Sequence, residues 1–271
     1  MEVRIRDIDF CFEEVGSGRP LLVLHGWPLD HRHVAADIEP VFDERSGWRR
    51  IYPDLPGFGR TAAPEWLCTH DQIVELASEL MDAVAPGERF AVAGTSYGGY
   101  VARGMIRQRG GDIDGALLTV PHFAPNEHKG TLPEHRLLRK DAEFAAALKP
   151  GEDVDLVVTQ SMELLDDFRR SIFPAPLLHN EVFGERMNEY VSYELDPLEP
   201  PFPAPTLIVT GRFDHLCGYE DGFRILPSFP RATYAVLDCA GHALPMERKA
   251  LFHALVSDWL ERIEAYVSEL D

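Results

Sequence analysis

Ser96 lies in Gly94-Thr95-Ser96-Tyr97-Gly98, a G-x-S-x-G pentapeptide preceded by the apolar run Phe90 to Ala93 and followed by a segment of helical character. Between a strand and a helix, this pattern forms a turn so sharp that its central residue takes strained backbone angles and its neighbours must lack Cβ atoms. Such a turn would hold the Ser96 hydroxyl above a sheet, with the amino end of the next helix aimed at any negative charge formed there. The chemistry on offer is attack on an acyl group, which also needs a base, an orienting carboxylate and amide donors. Ordinary Gly-rich turns show the same pentapeptide, so the companions decide.

Each companion has one candidate, and every candidate follows an apolar run. His242 sits in Gly241-His242-Ala243-Leu244-Pro245, in the loop after Thr233 to Leu237. The chain has 11 histidines, most of them necessarily surface or structural, but this one follows a glycine in the last strand-to-helix loop and is the expected base. Asp214, in Gly211-Arg212-Phe213-Asp214, lies just past the penultimate strand. A turn or cap aspartate is the competing reading there. Asp221 falls within a helical stretch, Asp238 directly at a strand end, and Pro121-His122 after Val120 offers no carboxylate, so Asp214 is the expected acid. His25-Gly26-Trp27-Pro28 ends the first buried strand. There the Trp27 N–H can donate to an oxyanion beside the Tyr97 N–H, whereas Pro28 has none to give.

The elements that must position these residues follow from periodicity. Val3 to Ile5 and Ile8 to Val15 alternate apolar and polar residues, as an antiparallel edge hairpin does. Pro20 to His25, Trp48 to Pro53, Phe90 to Ala93, Ile113 to Val120, Pro205 to Gly211 and Thr233 to Leu237 read as strands. Between them fall helical patterns: Val34 to Phe42, a stretch opened by the Thr69/Gln72 capping box, the segment after Ser96, Glu220 to Phe229, and a long final helix from Pro245. Strands alternating with helices give a mostly parallel sheet covered on both faces, with ligands at the carboxyl ends of its strands. Residues 1–120 and 206–271 form this core domain. Residues 121–205, punctuated by prolines and without a strand pattern, read as a helical insertion capping that edge. Its helices are expected around Leu137 to Leu148, Val154 to Leu165 and Glu185 to Leu195. Phe144, Phe168 and Phe173 from this insertion, with His25 and His122 at strand ends, are candidate pocket residues.

Composition narrows the partners. A formal net charge of −19 disfavours nucleic acid and anionic membrane surfaces, whose binding depends on clustered Lys and Arg. Cys11, Cys68, Cys217 and Cys239 are scattered without a C-x-x-C pair, so neither a zinc site nor a redox dithiol is expected. Charge interrupts the amino-terminal residues, and no apolar run approaches the roughly 18 residues of a spanning helix. The expectation is a soluble cytoplasmic protein, monomer or homodimer, acting on a small molecule.

Taken together, His25-Gly26-Trp27-Pro28, Asp54-Leu55-Pro56-Gly57-Phe58-Gly59, the Ser96 pentapeptide, Gly211 to Asp214 and Gly241-His242 resemble the α/β-hydrolase superfamily over nearly the whole chain apart from the insertion. The chain order Ser, acid, His agrees. The resemblance implies an eight-stranded sheet with one antiparallel strand, a cap after the sixth strand, and no metal or organic cofactor. Epoxide hydrolases and haloalkane dehalogenases share His-Gly-x-Pro but use Asp where Ser96 stands. Proline iminopeptidases show a second glycine after the histidine and Trp after the nucleophile, where this chain has Trp27 and Tyr97. Carboxylesterases, meta-cleavage product hydrolases and enol-lactonases fit the Ser-x-Gly-Gly form better. The expected activity is a serine hydrolase of small, largely apolar esters. The alternatives are C–C bond or enol-lactone hydrolysis, cofactor-free perhydrolysis, and ligand binding without turnover on the same fold.

Overall fold

Every apolar run named above becomes a strand of one sheet in the computed structural model, which describes residues 1–123, 132–178, 180–188, 195 and 197–270. The strands are β1 (Glu2–Ile5), β2 (Ile8–Gly16), β3 (Arg19–Leu24), β4 (Trp48–Pro53), β5 (Phe90–Thr95), β6 (Ile113–Thr119), β7 (Thr206–Gly211) and β8 (Ala232–Leu237). Their order is β1-β2-β4-β3-β5-β6-β7-β8. β2 pairs antiparallel with both β1 and β4, and the pairs from β4 to β8 are all parallel. The physical reason is visible in the side chains. β5, β6 and β7 are buried at every position, as strands covered on both faces must be.

The helices are α1 (His31–Ile38), α2 (His70–Val84), α3 (Tyr97–Arg109), α4 (Ala142–Ala147), α5 (Met162–Asp167), α6 (Glu181–Asn188), α7 (Tyr219–Arg224), α8 (Leu244–Glu247) and α9 (Lys249–Ser268). α2 and α3 cover one face of the sheet through Leu76, Leu80, Val101 and Met105. α1 and α9 cover the other through Val34, Val256, Trp259 and Ile263. Each such fully buried side chain contributes roughly 1.5–3 kcal/mol against solvent exposure. α2 begins at the capping box, with the Thr69 hydroxyl accepting from Gln72 N and the Gln72 side chain accepting from Thr69 N. The final helix is interrupted at Arg248, which leaves α8 as a single turn behind the His242 loop. Among the described residues, no helix is long and apolar enough to cross a membrane.

The segment between β6 and β7 differs from its pattern. The helix expected from Leu137 shrinks to α4, because Asp141 caps the Glu143 and Phe144 N–H groups and starts the helix there. Leu138 N and Arg139 N instead donate to Val158 O, and Arg139 pairs with Thr159 in an isolated parallel bridge. The helix expected from Val154 starts at α5, where Ser161 accepts from Leu164 N. It continues through a π turn, Phe168–Ile172. The third begins four residues early, at Glu181 in α6, and residues 189–194 of its expected span lie outside the described residues. Apolar spacing located these helices but could not show that residues 157–160 spend their backbone groups on tertiary partners.

Candidate active site

The site starts at the turn between β5 and α3. Ser96 has φ 53°, a left-handed conformation that a side-chain-bearing residue rarely adopts. Its glycines are obligatory: a Cβ on Gly94 would stand 2.2 Å from Gly98 O, and one on Gly98 would stand 2.2 Å from Leu24 O. The turn is held from beneath, with Ser96 N donating to Thr119 O and Ser96 O accepting from His122 N, both at 2.9 Å. β3 lies beside β5, with Leu24 opposite Gly94, so the chain leaving β3 passes directly over the serine. A Cβ on Gly26 would come 3.3 Å from Ser96 Cβ and 3.8 Å from Ser96 Oγ. The chain at Gly26 thus lies close beside Ser96. The Tyr97 N–H, next in the chain to Ser96, is the first in α3 and beyond reach of any carbonyl of its own helix.

His242 and Asp214 arrive from the ends of β8 and β7. The Ser96 hydroxyl meets His242 Nε2 at 3.0 Å, and His242 Nδ1 meets Asp214 Oδ2 at 2.9 Å. The other carboxylate oxygen, Oδ1, accepts the N–H groups of Leu216 and Cys217 at 2.9 and 3.0 Å. Asp214 is wholly buried, so these bonds fix its orientation and assign the Nδ1 proton to the imidazole. Burial holds the His242 pKa down, but the Asp214 carboxylate and the neighbouring Cys217 together carry the imidazole well above its ordinary value. Three residues distant in the chain therefore meet in one hydrogen-bonded line.

The candidate pocket residues fare differently. His25 is a structural pin. It is completely buried, its Nε2 accepts from Leu55 N and its Nδ1–H donates to Gly26 O, both at 2.9 Å. No ring atom is left for a substrate. Phe144 and Phe168 are equally enclosed, packing with Leu29, Ala243 and Met246 in a core that joins the insertion to the sheet domain. Their hydrophobic character is spent on that junction. Phe173 is half-buried against the Phe168 ring, and His122 stays half-buried beside the serine turn.

Several neighbours had no signal in the sequence. The Tyr97 hydroxyl shares a hydrogen bond with His70 Nδ1 at 2.9 Å, and burial lowers the His70 pKa to about 4, so the ring it meets is neutral. The Trp27 ring packs edge-on to Phe58 at 4.7 Å and stacks with Phe183 of α6 at 6.1 Å. Gly57 makes room for that stack, since a Cβ there would fall 2.1 Å from Phe183. Cys217 lies close to two of these residues, with ligand atoms of Asp214, Cys217 and His242 all within 4.8 Å of one another. Burial pushes the Cys217 thiol up, so it stays protonated and does not compete as a thiolate. Asp30, His31 and Asp54 form a second such group, in which Asp54 Oδ1 is already engaged by the His31 N–H and ring. Either group offers metal-ligand types, but their atoms are occupied by hydrogen bonds within the fold.

Comparison with known proteins agrees with this architecture. A model of the alpha/beta hydrolase family matches residues 21–255. A pimeloyl-(acyl-carrier protein) methyl ester esterase of Legionella pneumophila (strain Paris) is 33% identical, over 91% of this chain and 97% of its own. A 2-hydroxy-6-oxononadienedioate/2-hydroxy-6-oxononatrienedioate hydrolase of Pseudomonas putida is 24% identical, over 94% of this chain and 92% of its own. Among solved structures, an alpha/beta superfamily hydrolase from Oenococcus oeni PSU-1 superposes with TM-score 0.85 at 23% identity, covering 97% of this chain and 99% of its own.

Proposed function

The chain belongs to the alpha/beta hydrolase family, and we propose that within it this protein is a serine hydrolase of small, largely apolar esters. One observation carries the reading: Ser96 Oγ, His242 and buried Asp214 lie in line at 3.0 and 2.9 Å beneath the Gly26-Trp27 turn. His242 takes the Ser96 proton at Nε2 as Oγ attacks the substrate carbonyl. The imidazolium that forms is stabilised by the Asp214 carboxylate at Nδ1. The Trp27 and Tyr97 N–H groups receive the oxyanion, each donor being worth about 3 kcal/mol in the transition state. Collapse passes the proton from His242 to the leaving alcohol and leaves an acyl group on Ser96. Water, deprotonated by His242, then releases the carboxylic acid and restores the serine.

The apolar preference rests on the half-exposed Trp27 ring, which is backed by Phe58 and Phe183 and meets edge-on, at 5.4 Å, the ring of Tyr97, next in the chain to Ser96. We assign residues 121–205 the role of a cap over the carboxyl ends of the strands, a reading supported by the contact of α6 with Trp27. Ser96→Ala should remove fluorophosphonate labelling and lower ester turnover by about 10⁶ while the circular dichroism spectrum is unchanged. Retained turnover in that variant would sink the mechanism. An acyl-enzyme also serves lactones, vinylogous diketones cleaved at a C–C bond, and peroxide in place of water. Parallel assay of esters, lactones, a vinylogous diketone and peroxide-dependent halogenation separates these outcomes.

A further inference from the structure

Residues 156–160 of the insertion lie against the loop that carries His242, and the contact leaves no room for a side chain. A Cβ on Gly241 would stand 2.9 Å from both Leu156 O and Val158 Cγ1. On its other side, Gly241 O would meet a Cβ on Gly211 at 2.4 Å. The loop is thus pressed between the end of β7 and the insertion, and three backbone N–H groups at this junction converge on one side chain. Glu247 Oε2 accepts from Gly241 N at 2.6 Å, and Oε1 accepts from Val158 N at 2.6 Å and Thr159 N at 2.8 Å. The Thr159 hydroxyl adds a bond to Cys239 O at 3.2 Å. Burial pushes the Glu247 pKa up, while the three N–H donors on its two oxygens favour the ionised group, which accepts at both.

We propose that Glu247 is a positioning residue that holds the His242 loop and the insertion in one register, so that the insertion's placement is felt at the base and expressed in kcat. The proposal rests on the hydrolase reading above. Gly241 immediately precedes His242, so a shift of its N–H carries the imidazole with it. A displacement of about 1 Å in a reacting group can cost on the order of 10²-fold in rate. Glutamine at 247 keeps the shape but turns an amide N–H₂ toward backbone donors, which breaks at least one of the bonds.

Glu247→Gln tests this beside Lys249→Met. The latter severs a different tie, from Lys249 to Glu163 and Asp167 of the insertion, without touching Gly241. In E247Q, kcat for an ester and the rate of fluorophosphonate labelling should both fall between about 10- and 100-fold, with KM within about threefold, and the low-field proton resonance of His242 Nδ1–H should move. K249M should leave kcat, labelling and resonance as in the wild type. Unchanged kcat and labelling in E247Q, or equal losses in both variants, overturns the proposal. If the wild type turns over no ester while E247Q still moves the His242 resonance, the hydrolase reading fails and the positioning role stands. Should E247Q not fold, amide exchange in the wild type decides. Gly241, Val158 and Thr159 N–H should be protected to within about threefold of one another, as groups released by one opening are; independent exchange of Gly241 refutes the tie.

Discussion

His242 makes two hydrogen bonds that fix its tautomer, and their strengths respond to pH in a predictable direction. Protonated at Nε2, it cannot receive the Ser96 proton, so activity appears as pH rises through its pKa. Burial works against the cation, but the Asp214 carboxylate, with Cys217 beside it, carries that pKa well above the ordinary 6.5. The ascending limb of kcat/KM for an ester should therefore have its midpoint above 6.5. Asp214→Asn, which withdraws the charge and misorients the imidazole, should lower that midpoint and reduce kcat by about 10⁴. A pH–rate series on both proteins checks this, and an unmoved midpoint in D214N would assign the limb to another group. At the same scale, the completely buried His25 shows how a histidine at a strand end serves structure instead, holding the β3 and β4 loops together through both nitrogens.

At the scale of elements, Asp54 closes the loop after β4 onto the start of α1. Its Oδ1 accepts from His31 N and lies 2.6 Å from His31 Nδ1, and its Oδ2 accepts from Arg60 N at 3.0 Å. Gly59 has φ 51°, and a Cβ there would strike the carboxylate at 2.4 Å. Burial pushes the Asp54 pKa up, but the His31 ring and these N–H groups outweigh it and bring it to about 2 from 3.8. Because the folded value is depressed, the stabilisation is complete above pH 3.8 and is lost as pH falls through about 2. The shift corresponds to about 2 kcal/mol. Urea unfolding of Asp54→Asn at neutral pH should show a loss of at least that order, and the gap between variant and wild type should close in acid. A gap that persists at the lowest pH would mean that packing, not charge, sets the value of this residue.

For the whole molecule, the decisive junction is between insertion and sheet. Phe144 and Phe168 fill a third core with Leu29 from the sheet domain and Ala243 and Met246 from beside the His242 loop. Lys249 adds ion pairs to Glu163 and Asp167. Phe144→Ala should cost about 3–5 kcal/mol and loosen the insertion first. Limited proteolysis should then cut within residues 132–178 while the sheet domain resists. Simultaneous loss of both parts would show that they unfold as one cooperative unit. The acidic surface, with 45 Asp and Glu against 26 Lys and Arg, is threaded by local pairs such as Arg6 with Glu75 and Glu79. Those exposed pairs are worth little individually.

The strands, the main helices packed on the sheet and the glycine-flanked turn at Ser96 are legible in the sequence, and His242 and Asp214 stand out as its expected partners. Each of these is written in local signals: apolar runs, a capping box at Thr69, and glycines whose Cβ atoms the turn excludes. What it left to tertiary structure has a common physical reason. His25, Phe144 and Phe168 have side chains suited to a pocket, but whether they face substrate or core depends on partners far away in the chain. Residues 157–160 fall within an apolar spacing that suits a helix, but their backbone groups are claimed by Leu138, Arg139 and Glu247. Glu247, five positions after His242, reads as an ordinary helix carboxylate until the fold brings three N–H donors around it. Local chemistry could single out Ser96, Asp214 and His242 as candidates; only packing decides what holds them in register.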